Sequence, residues 1–301
     1  YESNPIYLSD IDVVTIATKG NANKFGDLTA PAQGGGATSS STRGVIALGR
    51  SPSGPADTNI LEFVTIMSDG NSQDFGDLSI EIYSSAATSN GIRGVFSGNN
   101  TGSPYANADL IEFITIATKG NAQDFGNLSR ATSASEDNNS MAATSNSVRG
   151  LFAGGLGPSS NTSLSVITYL TISSDGGVSD FGDLIKARFM INGHSNNTRG
   201  IFGGGQIAPN YTNVNTIDYI TIASTGDATD FGDSTSNQSN ASGASDNIRG
   251  VFSAGYYGSP HLSNVIEKVI IQTAGNSVDY GDLIDERIQG GSVSDSHGGL
   301  S

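Results

Sequence analysis

Residues 111–128 read Ile-Glu-Phe-Ile-Thr-Ile-Ala-Thr-Lys-Gly-Asn-Ala-Gln-Asp-Phe-Gly-Asn-Leu, and residues 145–155 read Ser-Asn-Ser-Val-Arg-Gly-Leu-Phe-Ala-Gly-Gly. Both phrases return about every 50 residues along the 301-residue chain. The aromatic before glycine in the first phrase falls at Phe25, Phe75, Phe125, Phe181, Phe231 and Tyr280. The Arg-Gly of the second falls at Arg43, Arg93, Arg149, Arg199 and Arg249, with Gly298 in the sixth slot. The one large break in register is an insertion near residues 130–141. A period of this length marks a repeat architecture whose units cannot bury their apolar faces alone.

Each unit resolves into four short strand-like runs, here lettered a to d. Run c is the clearest: 60–66, Ile-Leu-Glu-Phe-Val-Thr-Ile, with equivalents at 110–116, 166–172, 216–222 and 265–271. Its β-branched and aromatic residues suit a buried strand. A turn such as Asp69-Gly70 follows, where glycine supplies the positive φ. Run d carries Asp-Phe-Gly-Asp-Leu. After a variable loop come run a, small residues such as Ala142-Ala143-Thr144-Ser145-Asn146, and run b, Arg149-Gly150-Leu151-Phe152. Four short strands per 50 residues is the unit of a β-propeller blade, and the small residues of run a suit the crowded central channel.

The chain opens with c and d and closes with an a-like and a short b-like segment, Ser294 to Leu300. The expectation is therefore an all-β, six-bladed propeller of four-stranded blades, its ring closed by strands from both termini. It forms a single domain over 1–301, with units near 7–59, 60–109, 110–164, 165–215, 216–264 and 265–301. Closure protects the sheet edges. The start at Tyr1, without Met or signal peptide, suggests a processed chain or a piece of a longer one.

Composition narrows the function classes. With 14 Lys+Arg against 29 Asp+Glu and a net charge of −15, clustered phosphate contacts and anionic membrane surfaces are disfavoured. No apolar run approaches the roughly 20 residues of a spanning helix. The absence of Cys removes thiol nucleophiles and Cys-based zinc sites.

The order Arg-Gly-apolar-Phe-x-Gly-Gly, variable loop, apolar strand, turn, aromatic-Gly-x-Leu resembles the kelch repeat over essentially the whole chain. Phe or Tyr stands where kelch blades usually carry Trp. The phrase at 219–233, with Asn247-Ile248-Arg249-Gly250-Val251-Phe252, is similar to repeat proteins of tailed phages of marine bacteria. That resemblance implies a virion structural or tail-fibre-associated protein, and a virion or extracellular location. Copper-radical oxidases share the kelch-like fold, but their site requires a Cys that is absent here.

His194, His261 and His297 lie in different repeats and offer no obvious catalytic constellation, so no enzyme and no catalytic residue are expected. The pairs Asp74/Asp77, Asp180/Asp183, Asp230/Asp233 and Asp279/Asp282 are read as turn and strand-end devices. A Ca²⁺ site per blade is the less favoured alternative, so no cofactor and no metal are assigned. The repeated Arg is read as a blade-to-blade ion pair, and the sequons at Asn161 and Asn210 are given no glycosylation.

The c–d and a–b turns vary little between units, whereas the b–c and d–a loops vary strongly. In an up-and-down blade the latter two emerge on one face. Loops on a rigid scaffold are where recognition is usually placed. Tyr105, Tyr211, Tyr256, Tyr257 and His261 are the ligand-binding candidates, for sugar stacking or protein contact. The expected function is a non-enzymatic binding module recognising a cell-surface glycan or protein. Its alternatives are a purely structural decorating protein bound to other virion or assembly proteins, and a polysaccharide-active propeller enzyme. Nucleic acid and membrane insertion are not expected.

Overall fold

The computed structural model describes residues 7–52, 57–101, 106–128, 140–157, 162–258 and 261–296. These form strands and no helix, arranged as a β-propeller. Blade III shows the plan. Ala142–Ser145 pairs with Arg149–Ala153, that strand with Val166–Thr171, and that in turn with Ser179–Asp183, all antiparallel. Blades I (37–82), II (86–127), IV (192–238) and V (242–287) repeat it, blade IV with an added two-residue strand, Gln206–Ile207.

Five blades are formed, not the six expected. The first c and d runs make only a two-stranded sheet, Leu8–Val13 paired with Asn23–Ala32. The b run that would complete it falls on residues 297–301, outside the described residues, and 289–296 adopts no strand. Among the described residues no b strand pairs with this c strand, which stops at Val13, whereas its counterpart in blade I runs on to Thr65. None of its residues is fully buried.

Apolar clusters fill the spaces between blades. One joins Leu151, Ile167 and Phe181 of blade III to Phe202, Ile220 and Ile222 of blade IV. Others join I to II, II to III, IV to V, and V to the N-terminal hairpin through Val14 and Ile16. Burying a Phe or Ile of this kind stabilises the fold by about 1.5–3 kcal/mol. Within a blade the c and d aromatics meet edge to face, as in Tyr169–Phe181 at 5.9 Å.

The constant residues of the repeat connect each blade to the one before it. The turn glycine donates its N–H to the carbonyl of the preceding aromatic: Gly70 to Phe25, Gly120 to Phe75, Gly176 to Phe125, Gly226 to Phe181, Gly275 to Phe231, and Gly20 to Tyr280. The glycine after each aromatic is demanded by this approach. A Cβ on Gly182 would lie 2.5 Å from the Gly226 carbonyl, and Gly182 has φ +146°. The glycine of Arg-Gly is small for a similar reason, since Thr88 Cγ2 of the preceding blade would sit 2.8 Å from a Cβ on Gly150.

The repeated Arg is not mainly an ion-pair residue. Its guanidinium lies over the c-strand aromatic of its own blade, Arg43 on Phe63, Arg93 on Phe113, Arg149 on Tyr169 and Arg199 on Tyr219, at 4.2–4.6 Å. Arg43, Arg149 and Arg199 also donate to backbone carbonyls of the next blade, at Ile116, Ile222 and Ile271. Among the described residues only Arg93 reaches a carboxylate of the next blade, Asp175, and Arg249 pairs within its own blade with Asp246.

Candidate binding face and channel mouth

Strands a surround the axis, and two hydrogen-bond rings hold them there. At one end Ser39, Ser89, Ser145, Ser195, Ser245 and Ser294 each donate the hydroxyl to the carbonyl of the preceding serine, Ser39 closing on Ser294, at 2.6–2.8 Å. At the other end Gly34, Ser84, Ser140, Met190, Asn240 and Gln289 all have φ between +54° and +75°. Each donates its N–H to the carbonyl of its predecessor, Gly34 closing on Gln289, at 2.7–3.3 Å. Five residue types, serine appearing twice, thus occupy one backbone conformation, which for the five non-glycine residues carries a real conformational cost. The closed ring of hydrogen bonds offsets it.

This second ring is the rim of an open funnel of about 140 Å³. Its wall is Gly, Ala and Ser from the first residues of the a strands, with Met141, Met190, Ile191, Asn192, Asn240 and Gln289. No charged side chain lines it among the described residues. On one side the Tyr83 hydroxyl meets Gln289 Oε1 at 2.9 Å, and the Arg50 guanidinium lies over the Tyr83 ring at 4.1 Å while pairing with buried Asp57 at 2.8 Å. The Asp57 partnership holds the Arg50 guanidinium charged, above its ordinary pKa, against the opposing effect of burial.

The funnel opens where the d–a segments end, on the face of the variable loops. Backbone bridges tie b–c segments to d–a segments there: Arg50 to Gln33, Gln206 to Phe189, and Tyr256 to Ser239. Tyr211, Tyr256 and Tyr257 are dispersed across this face, and among the described residues none of the sequence candidates lines the funnel. Tyr211 exposes 48 % of its surface and sets its ring edge-on to Phe189 at 5.8 Å. Tyr256 is half-buried, and its carbonyl accepts from Asn213 Nδ2 at 2.8 Å, which brings the Tyr211 hairpin of blade IV beside blade V. Tyr257 is half-buried, and burial pushes its hydroxyl pKa up, against a hydrogen bond with Ser263. His261 begins the strand opposite Gly258, and Tyr105 lies outside the described residues.

Other sequence candidates fall elsewhere. The second Asp of the Asp-Phe-Gly-Asp motif acts through its N–H, which donates to the turn Asn or Asp of the next unit, as Asp77 to Asn121 and Asp183 to Asp227 at 3.1 Å. Among the described residues no three acidic or histidine side chains gather as metal ligands. His194 is 1 % exposed in strand a of blade IV, its ring against Phe252 at 4.5 Å.

Sequence reasoning missed a set of buried acids. Glu62, Glu112, Asp218 and Glu267 sit inside the c strands, each at most 4 % exposed, and accept from the d strand of the preceding unit or, for Asp218, from just past its end. Thr29 N–H meets Glu62, Ser79 N–H meets Glu112 at 2.9 Å, Ile185 N–H meets Asp218, and Thr235 N–H meets Glu267. Asp218 is also paired at 2.8 Å with Arg188, both side chains fully buried. Burial pushes Arg188 down and Asp218 up from their ordinary pKa values, and the pairing works against both shifts. The legible signal was an acid recurring in the middle of an apolar run. No protein-family model matches this chain, and no curated protein matches it in sequence.

Proposed function

We propose that the chain is a non-enzymatic binding module that holds a neutral, hydroxyl-rich group, such as the end of a cell-surface glycan, at the funnel and across the loops around it. The observation that carries this reading is the rim. Its backbone is fixed in the same conformation six times, while the residues there, Gly34, Ser84, Ser140, Met190, Asn240 and Gln289, are of five types, only serine recurring. A constant frame presenting unlike, uncharged groups suits recognition more than packing. The funnel is small beside the roughly 300–1,000 Å³ of a ligand pocket, so it would take only a terminal group, the remainder lying toward exposed Tyr211. A virion or other extracellular assembly, as the kelch-like and phage-like phrases imply, is the setting that fits this reading. Beside the five blades, the N-terminal hairpin and Ser294 fill the sixth position of the ring, the hairpin with its c and d strands and Ser294 in the serine ring.

Glycan-array binding with Asn240→Asp and with the b–c loops replaced tests it. Asn240→Asp places a charge on the rim with little change in shape and should lower binding at least about tenfold; each 1.4 kcal/mol is a factor of ten. Binding unchanged by both alterations refutes the reading.

A second reading, a decorating protein docked by its opposite face, is favoured by Ile92, Val148 and Ile248. These a–b turn residues are 68 %, 54 % and 55 % exposed. Electron microscopy of the particle showing that face buried would select it.

A further inference from the structure

The geometry points to a yielding joint between blades II and III, where the ring gives way and the funnel widens between Ser84 and Ser140. Three kinds of polar link recur at all five other junctions, and among the described residues this one lacks them; a fourth, the Arg that reaches a carbonyl of the next blade at three junctions, is altered here.

The turn Asn or Asp that accepts the N–H of the preceding d strand is replaced by Gly177, so Asn127 has no counterpart of the Asp27–Asn71, Asp77–Asn121, Asp183–Asp227, Asp233–Asn276 and Asp282–Asn21 bonds. The second backbone bond, seen as Ser72 to Asp27, Ala122 to Asp77, Ala228 to Asp183, Ser277 to Asp233 and Ala22 to Asp282, has no equivalent from Val178. The buried acid is replaced by Thr168, 3 % exposed, whose hydroxyl has no partner among the described residues. Arg93 turns to Asp175, 56 % exposed, instead of a backbone carbonyl of the next blade. In the rim, Ser140 to Ser84 is the longest bond of the six, at 3.3 Å.

What remains among the described residues is the Gly176–Phe125 bond, the long Ser140–Ser84 bond, the serine ring, the Arg93–Asp175 pair, whose exposed carboxylate makes it a weak tie, and the apolar cluster around Phe113, Phe125, Phe152 and Leu170. Apolar contact is non-directional and tolerates sliding, whereas hydrogen bonds fix register. Blades II and III are therefore held together without being held in place. The junctions on either side of the N-terminal hairpin keep the Asn bond, the second backbone bond and the acid clasp.

Residue-resolved amide hydrogen exchange of the full chain tests this, because each ring supplies five internal controls. The amides of Gly176 and Ser140 should exchange at least about fivefold faster than those of their counterparts, the factor expected for one lost net hydrogen bond. Gly177→Asn should slow Gly176, since a Cβ there meets only Asn127 O, at an ordinary 3.4 Å. Asn121→Gly should speed Gly120 in the intact I/II junction. The inference is overturned if Gly20 or Gly70 exchanges fastest, if Gly176 matches its counterparts, or if Gly177→Asn leaves Gly176 unchanged.

Discussion

Replacing Gly182 by Ala should damage the propeller far from any ligand. Gly182 sits at φ +146°, and its Cβ would lie 2.5 Å from the Gly226 carbonyl carbon and oxygen and 2.9 Å from Asp227 N. All three are backbone atoms, so the next blade must move. A side chain in this conformation costs about 1–3 kcal/mol. Displacing the turn weakens three bonds, Gly226 to Phe181 at 2.7 Å, Ala228 to Asp183 at 2.8 Å and Asp183 to Asp227 at 3.1 Å, each with a net worth of about 1 kcal/mol. The expected loss is about 3–5 kcal/mol, a large share of the 5–15 kcal/mol typical of a folded protein. Gly226→Ala is the control. It has nearly the same φ, +152°, and nothing within 4 Å of its Cβ position, so it carries the conformational cost without the collision. Urea unfolding followed by far-UV circular dichroism gives both values, and tyrosine fluorescence checks them because the chain has no Trp. If Gly182→Ala is no more destabilising than Gly226→Ala, close approach between blades is not what the repeated glycine serves.

Arg188→Leu removes the partner of fully buried Asp218, together with donors to the carbonyls of Gly204, Thr216 and Phe202. It should cost about 3–5 kcal/mol, and Asp218→Asn in the same chain should recover part of that, as urea midpoints would show. Asp10 is held below the usual carboxylate pKa by its hydrogen bond from Lys24. Its contribution is present above the unfolded value of 3.8 and is lost as pH falls through the lower folded value. Amide exchange in Leu8–Val13 should therefore accelerate below about pH 4, following the reference carboxylate values, and Asp10→Asn should abolish that dependence.

The strand order within a blade was legible because its markers have single physical causes. The aromatics fill the inter-blade clusters, Asp69-Gly70 turns, and small residues such as Ala142 and Ala143 crowd the axis. Arg149 was legible as scaffold, but its partners were not: an aromatic on the neighbouring strand and a carbonyl 73 residues away leave no charge pattern to read. The funnel rim was illegible for a different reason. Left-handed backbone normally announces itself as glycine, and here only Gly34 does. Ser84, Met190 and Gln289 share the conformation because a tertiary ring imposes it, a cause that no local window contains. The two-stranded N-terminal sheet was misjudged from repeat count alone: its c run has the composition of the others, yet the strand it forms ends at Val13 and pairs, among the described residues, only with the d strand.

The serine circle has a sense of rotation. Each of its six hydroxyls is at once a donor to one neighbour and attached to the peptide whose carbonyl accepts from the other, and all six point the same way around the axis. Such a homodromic loop has no loose end, so each bond polarises the next without a terminus where the effect dies away. Its bond dipoles follow one another tangentially and largely cancel, leaving the axis free of the directional field that a stack of parallel dipoles would impose. Changing any one serine to alanine would convert the circle into a line with two ends, a change in topology that all six positions would feel.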